Sequence, residues 1–306
     1  MHWQKLGLIY CPDGSLPWAQ NHAMIPTPML LDEERIRLYL ASTDADMVGR
    51  VGYVDVDARD PRRVLDLSSR PVLDIGEPGT FDDNGVNVTS VVRHGDEIWM
   101  YYFGYQLAVR VRYLLFGGLA ISRDGGETFS RVSRVPVIDR TSAEPLLRSA
   151  PFVLKEDRRW RMWYVGGERH IEVDGTTRPT YDLRYLESDD GVTWGDRAIQ
   201  AVALAGDDEY GLGRPFVCRH QAGYRMWYSV RTHSLGYRLG YAESGDGVTW
   251  SRRDDARGLE PSPDGWDSEM MCYAGEIETA SGTYLFYNGN GYGRTGVGVA
   301  VQRPDA

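Results

Sequence analysis

The chain has 306 residues, and its 34 Lys and Arg against 44 Asp and Glu give a formal net charge of −10. That acidity argues against a general nucleic-acid or membrane-surface binder, because both surfaces are themselves polyanionic. The three cysteines, Cys11, Cys218 and Cys272, match no metal, redox or disulfide spacing, no stretch reaches the length of a membrane span, and Met1-His2-Trp3-Gln4-Lys5 does not begin a signal peptide, so a cytoplasmic, reduced protein is expected.

Read in chain order, Lys5-Leu6-Gly7-Leu8-Ile9-Tyr10 is an isolated N-terminal strand. A first group of strands follows at Ile25 to Leu30, Arg35 to Leu40 and Arg50 to Val56. The pattern then becomes regular. Trp99-Met100-Tyr101-Tyr102 leads to Ser122-Arg123-Asp124-Gly125-Gly126, Arg161-Met162-Trp163-Tyr164 leads to Ser188-Asp189-Asp190-Gly191, and Arg225-Met226-Trp227-Tyr228 leads to Ser244-Gly245-Asp246-Gly247. The methionines at 100, 162 and 226 are 62 and 64 residues apart, the spacing of a repeated supersecondary unit. Within a unit, an apolar strand such as Pro151-Phe152-Val153-Leu154 or Pro215-Phe216-Val217-Cys218 meets a turn, such as Arg219-His220-Gln221-Ala222-Gly223, before the aromatic strand. A last group holds Tyr273 to Ile277, Thr283 to Tyr287 and Gly296 to Val301, with no fourth strand of its own.

Five four-stranded copies predict an all-β fold, a five-bladed β-propeller in a single domain, 1–306. The blades are expected near 17–70, 80–136, 142–200, 207–255 and 266–303. The N-terminal strand, 3–11, pairs with the last blade to close the ring and remove an exposed sheet edge. The Ser-x-Asp-Gly turns read as structural: Ser and Asp bond the turn backbone, and Gly takes a positive φ. Asn288-Gly289-Asn290-Gly291-Tyr292-Gly293 reads as a hairpin connection near the mouth, not a dinucleotide fingerprint, since no βαβ unit follows.

Loops entering the first strand of each blade converge at one mouth of a small propeller. Here they are Trp18-Ala19-Gln20-Asn21-His22-Ala23, Phe81-Asp82-Asp83-Asn84-Gly85-Val86-Asn87, Ser142-Ala143-Glu144-Pro145-Leu146-Leu147-Arg148-Ser149, Asp207-Asp208-Glu209-Tyr210-Gly211-Leu212-Gly213-Arg214 and Trp266-Asp267-Ser268-Glu269-Met270. An acid in four of the five loops suits glycosyl transfer, in which one carboxyl donates a proton and another activates water or attacks carbon. Trp18, Phe81, Tyr210, Trp266 and Tyr273 are candidates to stack on sugar faces.

On these residues the chain resembles the superfamily of family 43, 32, 68 and 130 glycoside hydrolases and phosphorylases. The elements Asn21-His22-Ala23-x-x-Pro26, Gly79-Thr80-Phe81-Asp82-Asp83, Trp266-Asp267-Ser268-Glu269 and Tyr287 to Gly293 also resemble a bacterial subgroup associated with surface-polysaccharide or glycoconjugate biosynthesis. The resemblance implies Glu144 as general acid and Asp83 (or Asp82) as the residue that orients substrate and tunes that acid. The blade-one base of the family 43 type does not carry over, because Asn21-His22 stands there. His22 is the candidate base near neutral pH, and the same side chain suits a channel position or an anion or metal ligand. Arg148, Arg214, Glu209 and Glu269 are expected to hold hydroxyls or phosphate, with Asp82, Asp267, Trp18 and Asn290 also binding substrate. The basic segments Arg169-His170 and Arg231-Thr232-His233 fit a phosphate or a nucleotide-sugar diphosphate. The expected partner is a sugar or oligosaccharide, with inorganic phosphate or a nucleotide-sugar as a further possibility. No cofactor, resident metal, nucleic acid or membrane is expected. Hydrolysis, phosphorolysis and binding without catalysis all remain open.

Overall fold

Consecutive residues such as Met162, Trp163 and Tyr164 can all be buried only if both faces of their strand are covered. The computed structural model, which describes residues 1–220 and 223–303, covers them by stacking sheets face to face. Gln221 and Ala222 of the expected turn lie outside the described residues. The N-terminal strand is β1 (His2–Tyr10). The first set is β2 (Asn21–Leu30), β3 (Arg35–Thr43), β4 (Gly49–Asp57) and β5 (Val64–Leu67). The second is β6 (Val86–His94), β7 (Glu97–Leu107), β8 (Tyr113–Ser122) and β9 (Ser130–Arg131). The third is β10 (Leu147–Glu156), β11 (Arg159–Val173), β12 (Thr176–Ser188) and β13 (Ile199–Val202). The fourth is β14 (Glu209–His220), β15 (Gly223–Thr232), β16 (Arg238–Ser244) and β17 (Ser251–Arg252). The last is β18 (Cys272–Thr279), β19 (Gly282–Asn288) and β20 (Val297–Arg303), and β1 completes it by pairing antiparallel with β20, Trp3 opposite Gln302 and Lys5 opposite Ala300.

Each set is an antiparallel meander. The first strands of the sets touch in cyclic order, β2 to β6, β6 to β10, β10 to β14, β14 to β18 and β18 to β2. This is a β-propeller. Its core is a series of apolar layers between neighbouring sheets. Ile36, Leu38 and Val54 meet Phe286 and Val299, whereas Trp99 and Tyr101 meet Val153, Trp160 and Met162. Burying each such side chain contributes about 1.5–3 kcal/mol. Among the described residues no helix is long and apolar enough to cross a membrane.

Polar bonds fix the stacking. The aromatic residue at one position of the middle strand donates to a turn glycine of the next set: Tyr39 Oη to Gly126 O (3.2 Å), Tyr101 Oη to Gly191 O (2.8 Å) and Trp163 Nε1 to Gly247 O (2.8 Å). Gly191 and Gly247 have φ of +75° and +74°, which explains glycine in the repeated turn. The turn is held from within by Ser188 Oγ to Asp190 (2.9 Å) and Ser244 Oγ to Asp246 (3.0 Å).

All five first strands break register at the same level, between Met24 and Thr27, Val88 and Ser90, Ser149 and Phe152, Gly213 and Phe216, and Cys272 and Gly275. Ile25, Ala150, Arg214 and Tyr273, skipped at four of these bulges, have φ of +57°, +49°, +37° and +56°. A left-handed L-residue costs about 1–2 kcal/mol, so the bulges persist only because the surrounding sheets determine them. They re-aim the side chains at the end of the channel.

The turn carboxylates make an acid-sensitive clamp. The backbone N–H of Thr193 holds Asp190, and those of Thr249 and Val248 hold Asp246, at about 2, below the ordinary 3.8. A depressed carboxylate stabilises the fold above its unfolded value and loses that contribution as pH falls through the folded one. Thermal melts are expected to show Tm falling between pH 3.8 and about 2. The double variant Asp190→Asn, Asp246→Asn is expected to melt lower at neutral pH and to have a shallower slope in that window.

Candidate functional site

The acids of the entering loops do not converge on a pocket. Asp82, Glu144 and Asp267 are buried inside their own sets, each against a tyrosine and a cation. Asp82 accepts from Tyr102 Oη (2.9 Å), Arg131 Nε (2.7 Å) and Thr80 Oγ1 (3.0 Å). Glu144 accepts from Tyr164 Oη (2.8 and 2.7 Å) and pairs with Arg148 (3.0 Å) and Arg184 (3.1 Å). Asp267 accepts from Tyr287 Oη (3.0 Å) and Lys5 Nζ (2.6 Å). In the fourth set Tyr228 bonds Asp254 (2.6 Å), and Arg252 joins Asp254 to Glu209, which it grips with two bonds of 2.8 Å. Tyr102, Tyr164 and Tyr228 each stand two residues after the repeated methionine, and Tyr287 stands two after Leu285. In four of the five sets the recurring acid is therefore part of a latch that fastens the entering loop to the middle strand, in the fourth by way of Arg252 and Asp254.

The other expected site residues are also occupied elsewhere. Asp83 accepts from Gly79 N (2.8 Å) in the turn before β6. Arg148 donates to Asp139 O (3.0 Å) and Gly195 O (2.9 Å) and lies over Tyr164. Asn290, in a helical turn Asn290–Gly293 where a plain hairpin loop was expected, accepts from Glu269 N (2.8 Å) and Met270 N (3.0 Å) and donates to Gly265 O (3.1 Å). The Glu269 side chain is exposed. Trp18 packs where a Cβ on Gly52 would collide with it, and its Nε1 donates to Ser69 O (3.3 Å). Phe81 stacks on Tyr102 and Trp266 on Tyr287. None of these residues lines the central cavity.

That cavity, of about 550 Å³, opens where the first strands bulge. The β7–β8 and β11–β12 hairpins, which run on past their sheets, wall it with Tyr105, Arg112, Tyr113, His170, Arg178 and Tyr181. Arg231, Tyr237, Tyr273 and Tyr292 line it too, Arg231 and Tyr237 in contact with Tyr181, and His22, Asn87, Ser149 and Arg214 come from the first strands. Among the described residues, no Asp or Glu lines it. Of the residues expected from the sequence to act in catalysis or to hold substrate, the cavity takes His22 and Arg214, joined by Tyr273 from the stacking candidates and His170 and Arg231 from the basic segments.

His22 is 8% exposed, with φ of +59° and Nδ1 3.0 Å from Thr43 Oγ1. Burial, aided by the nearby Arg294 cation, lowers its pKa below 6.5, so the ring is neutral at pH 7. Arg214 pins the channel. Its guanidinium donates to Pro26 O (3.2 Å), Thr27 Oγ1 (2.8 Å), Thr89 O (3.4 Å) and Ala274 O, and so ties the first, second and last sets to the fourth. Burial without a carboxylate pulls it down to about 9, which leaves it charged at neutral pH. Its terminal nitrogens are thus spent on backbone carbonyls rather than held for phosphate.

Asn87 and Ser149 each end a loop expected at the mouth, but the sequence assigned neither a site role. They pair with Phe103 and Val165, each three residues after the repeated methionine, and so share one register at the channel end. Aligning the copies on that methionine would have found them. Asn87 Oδ1 and Ser149 Oγ are buried without a hydrogen-bond partner.

Removing a latch acid strands a buried cation. Glu144→Ala is expected to lower unfolding free energy by about 3–5 kcal/mol and Tyr164→Phe by about 1.5–3 kcal/mol, read by chemical denaturation.

No family model matches the chain. Over 301 residues it is 37% identical to a Mycobacterium tuberculosis protein named "Uncharacterized protein Rv1502", covering 98% of this chain and 99% of that one. Among solved structures it is similar to a thermostable family-43 glycoside hydrolase (TM-score 0.70, 18% identity, 94% and 93% of the two chains). It is also similar to a glycosyl hydrolase from Bacteroides ovatus (TM-score 0.70, 17% identity, 99% and 91%). At these identities the solved structures bear on fold alone, and the fold is that of the β-propeller glycoside hydrolases. By its full-length likeness to Rv1502, the chain belongs to the same family as that mycobacterial protein.

Proposed function

We propose that this protein is a single-domain, five-bladed propeller that binds a sugar in its central cavity without a carboxylate-pair mechanism. The observation that carries this reading is the absence of Asp and Glu from the cavity lining. Glycoside hydrolysis of the usual kind needs two carboxyl groups flanking the scissile bond. The carboxylates that resemblance assigned to that work, Glu144 and Asp83, are bonded into a latch and a turn. What remains in the cavity suits recognition. Tyrosines offer rigid faces with a polar tip. The unpartnered Asn87 Oδ1 and Ser149 Oγ each cost about 1–3 kcal/mol while empty-handed, a cost that sugar hydroxyls would offset. A sugar or sugar nucleotide of glycoconjugate biosynthesis is the class that the sequence resemblance supplies.

Titration calorimetry against a panel of mono- and oligosaccharides is expected to find a ligand. Asn87→Ala and Tyr181→Ala are each expected to weaken it about tenfold, roughly 1.4 kcal/mol. Aryl glycosides are expected to be left intact. Turnover that is lost in a folded Glu144→Gln variant would sink this reading.

One observation favours a second reading, a glycosyl-transfer or phosphorolysis step with His22 as base. His22 lines the cavity and is held neutral, the state that accepts a proton. Such activity would rise with pH through a value below 6.5 and vanish in His22→Gln. Turnover that stayed unchanged in a folded His22→Gln variant would remove it from that role.

A further inference from the structure

The arginines of this chain divide by environment. Several in the sheets are matched to carboxylates: Arg37 with Asp55 (2.8 Å), Arg148 with Glu144 (3.0 Å), Arg161 with Glu156 (3.0 Å), Arg184 with Asp182 (2.8 Å) and Arg252 with Glu209 (2.8 Å). Arg178 and Arg231 are different. Both line the cavity, and among the described residues neither pairs with a carboxylate. Their surroundings are phenols. Arg231 lies over the Tyr210 ring at 4.7 Å and the Tyr237 ring at 5.8 Å and donates to Tyr181 Oη at 3.2 Å. Arg178 reaches Tyr210 Oη at 3.5 Å, so Tyr210 joins the two guanidinium groups. The Nε of each is buried with no hydrogen-bond partner.

A guanidinium nitrogen withdrawn from water and left without an acceptor or counter-charge destabilises the fold. Arg214 shares the cavity but is accounted for, because backbone carbonyls from three other sets take its terminal nitrogens. Arg178 and Arg231 have no such account. Their planar forks match the two oxygens of a carboxylate or a phosphate ester. Resting on the sugar-binding reading above, we propose that the ligand is an acidic sugar, and that Arg178 and Arg231 hold its anionic group while the tyrosines, Asn87 and Ser149 hold the sugar.

The test is calorimetry with glucuronate, glucose 6-phosphate and glucose as probes, together with acetate and inorganic phosphate. It compares the wild type with Arg178→Gln, Arg231→Gln and Arg231→Lys, each checked for folding by circular dichroism. At least one of the two acidic sugars is expected to bind tenfold or more tighter than glucose, with the advantage shrinking as salt rises. The better of the two identifies the anion as carboxylate or phosphate. In the Gln variants the acidic sugars are expected to bind no tighter than glucose does to the same variant, and Arg231→Lys is expected to retain part of the advantage. Equal affinity for glucose and both acidic sugars would overturn the proposal and leave sugar binding standing. Arginine-dependent binding of acetate or phosphate with no sugar bound would support the anion site and remove the sugar-binding reading. Binding of none of the probes would overturn both.

Discussion

The carboxylate–tyrosine–cation latch is the constraint on which the site depends. It appears with Asp82 and Tyr102, Glu144 and Tyr164, Asp267 and Tyr287, and, through Arg252, with Glu209 and Tyr228. In each case it clamps the loop that delivers a first strand to the channel. The geometry is economical because the tyrosine belongs to the middle strand, whose own register is set by the hydrogen-bond ladder. A buried carboxylate with a phenol and a guanidinium or ammonium keeps most of its lone pairs satisfied, and losing any partner exposes an uncompensated charge. The loop is thereby held at one height in each of four sets. The bulge that follows then presents Asn87, Ser149, Arg214 and Tyr273 at neighbouring levels.

Above that ring the walls come from strand pairs that outrun their sheets. β11 and β12 stay paired from Arg169–Thr180 to Val173–Thr176, beyond the break after Gly166. β7 and β8 run on to Leu107–Tyr113. These extensions bring Tyr105, Tyr113, Arg178 and Tyr181 over the channel, where they meet Arg231 and Tyr237 from the fourth set. The result is a cationic, aromatic cavity in a chain whose net charge is −10. The acidity of the whole chain thus says nothing about the sign of the field at its centre, because among the described residues no acid lines the cavity.

The repeat itself was legible without a structure. The Met-aromatic-Tyr strand and the Ser-x-Asp-Gly turn recur at a near-constant spacing, and the structure shows why: the aromatic residue of one set donates to the turn glycine of the next. The acids were legible too, but their meaning was not. A carboxylate ahead of a strand reads the same whether it faces a substrate or a tyrosine behind it. The recurrence of Glu144 and its counterparts, taken as a sign of convergence, is what a repeated structural latch also produces. The copies differ where the site lies, as Asn87, Ser149 and Gly213 share one level and Arg214 stands one residue further on.

Sequence alone therefore determined what depends on neighbours along the chain: the all-β class, the copies, the turns and their glycines, and the N-terminal strand as partner for the last group. Local residue type and spacing suffice for these because strand alternation and turn chemistry are short-range. Only the tertiary structure decided which side chains share a cavity. That depends on which acid finds a tyrosine across the sheet, on a bulge that turns a side chain by one position, and on two hairpins that lean over a channel from different sets. These are contacts between residues 20 to more than 100 positions apart, such as Glu144 with Tyr164 and Arg214 with Thr89. Their outcome is the exchange at the centre of this protein: the carboxylates withdraw into the sheets, and the arginines and tyrosines are left facing the cavity.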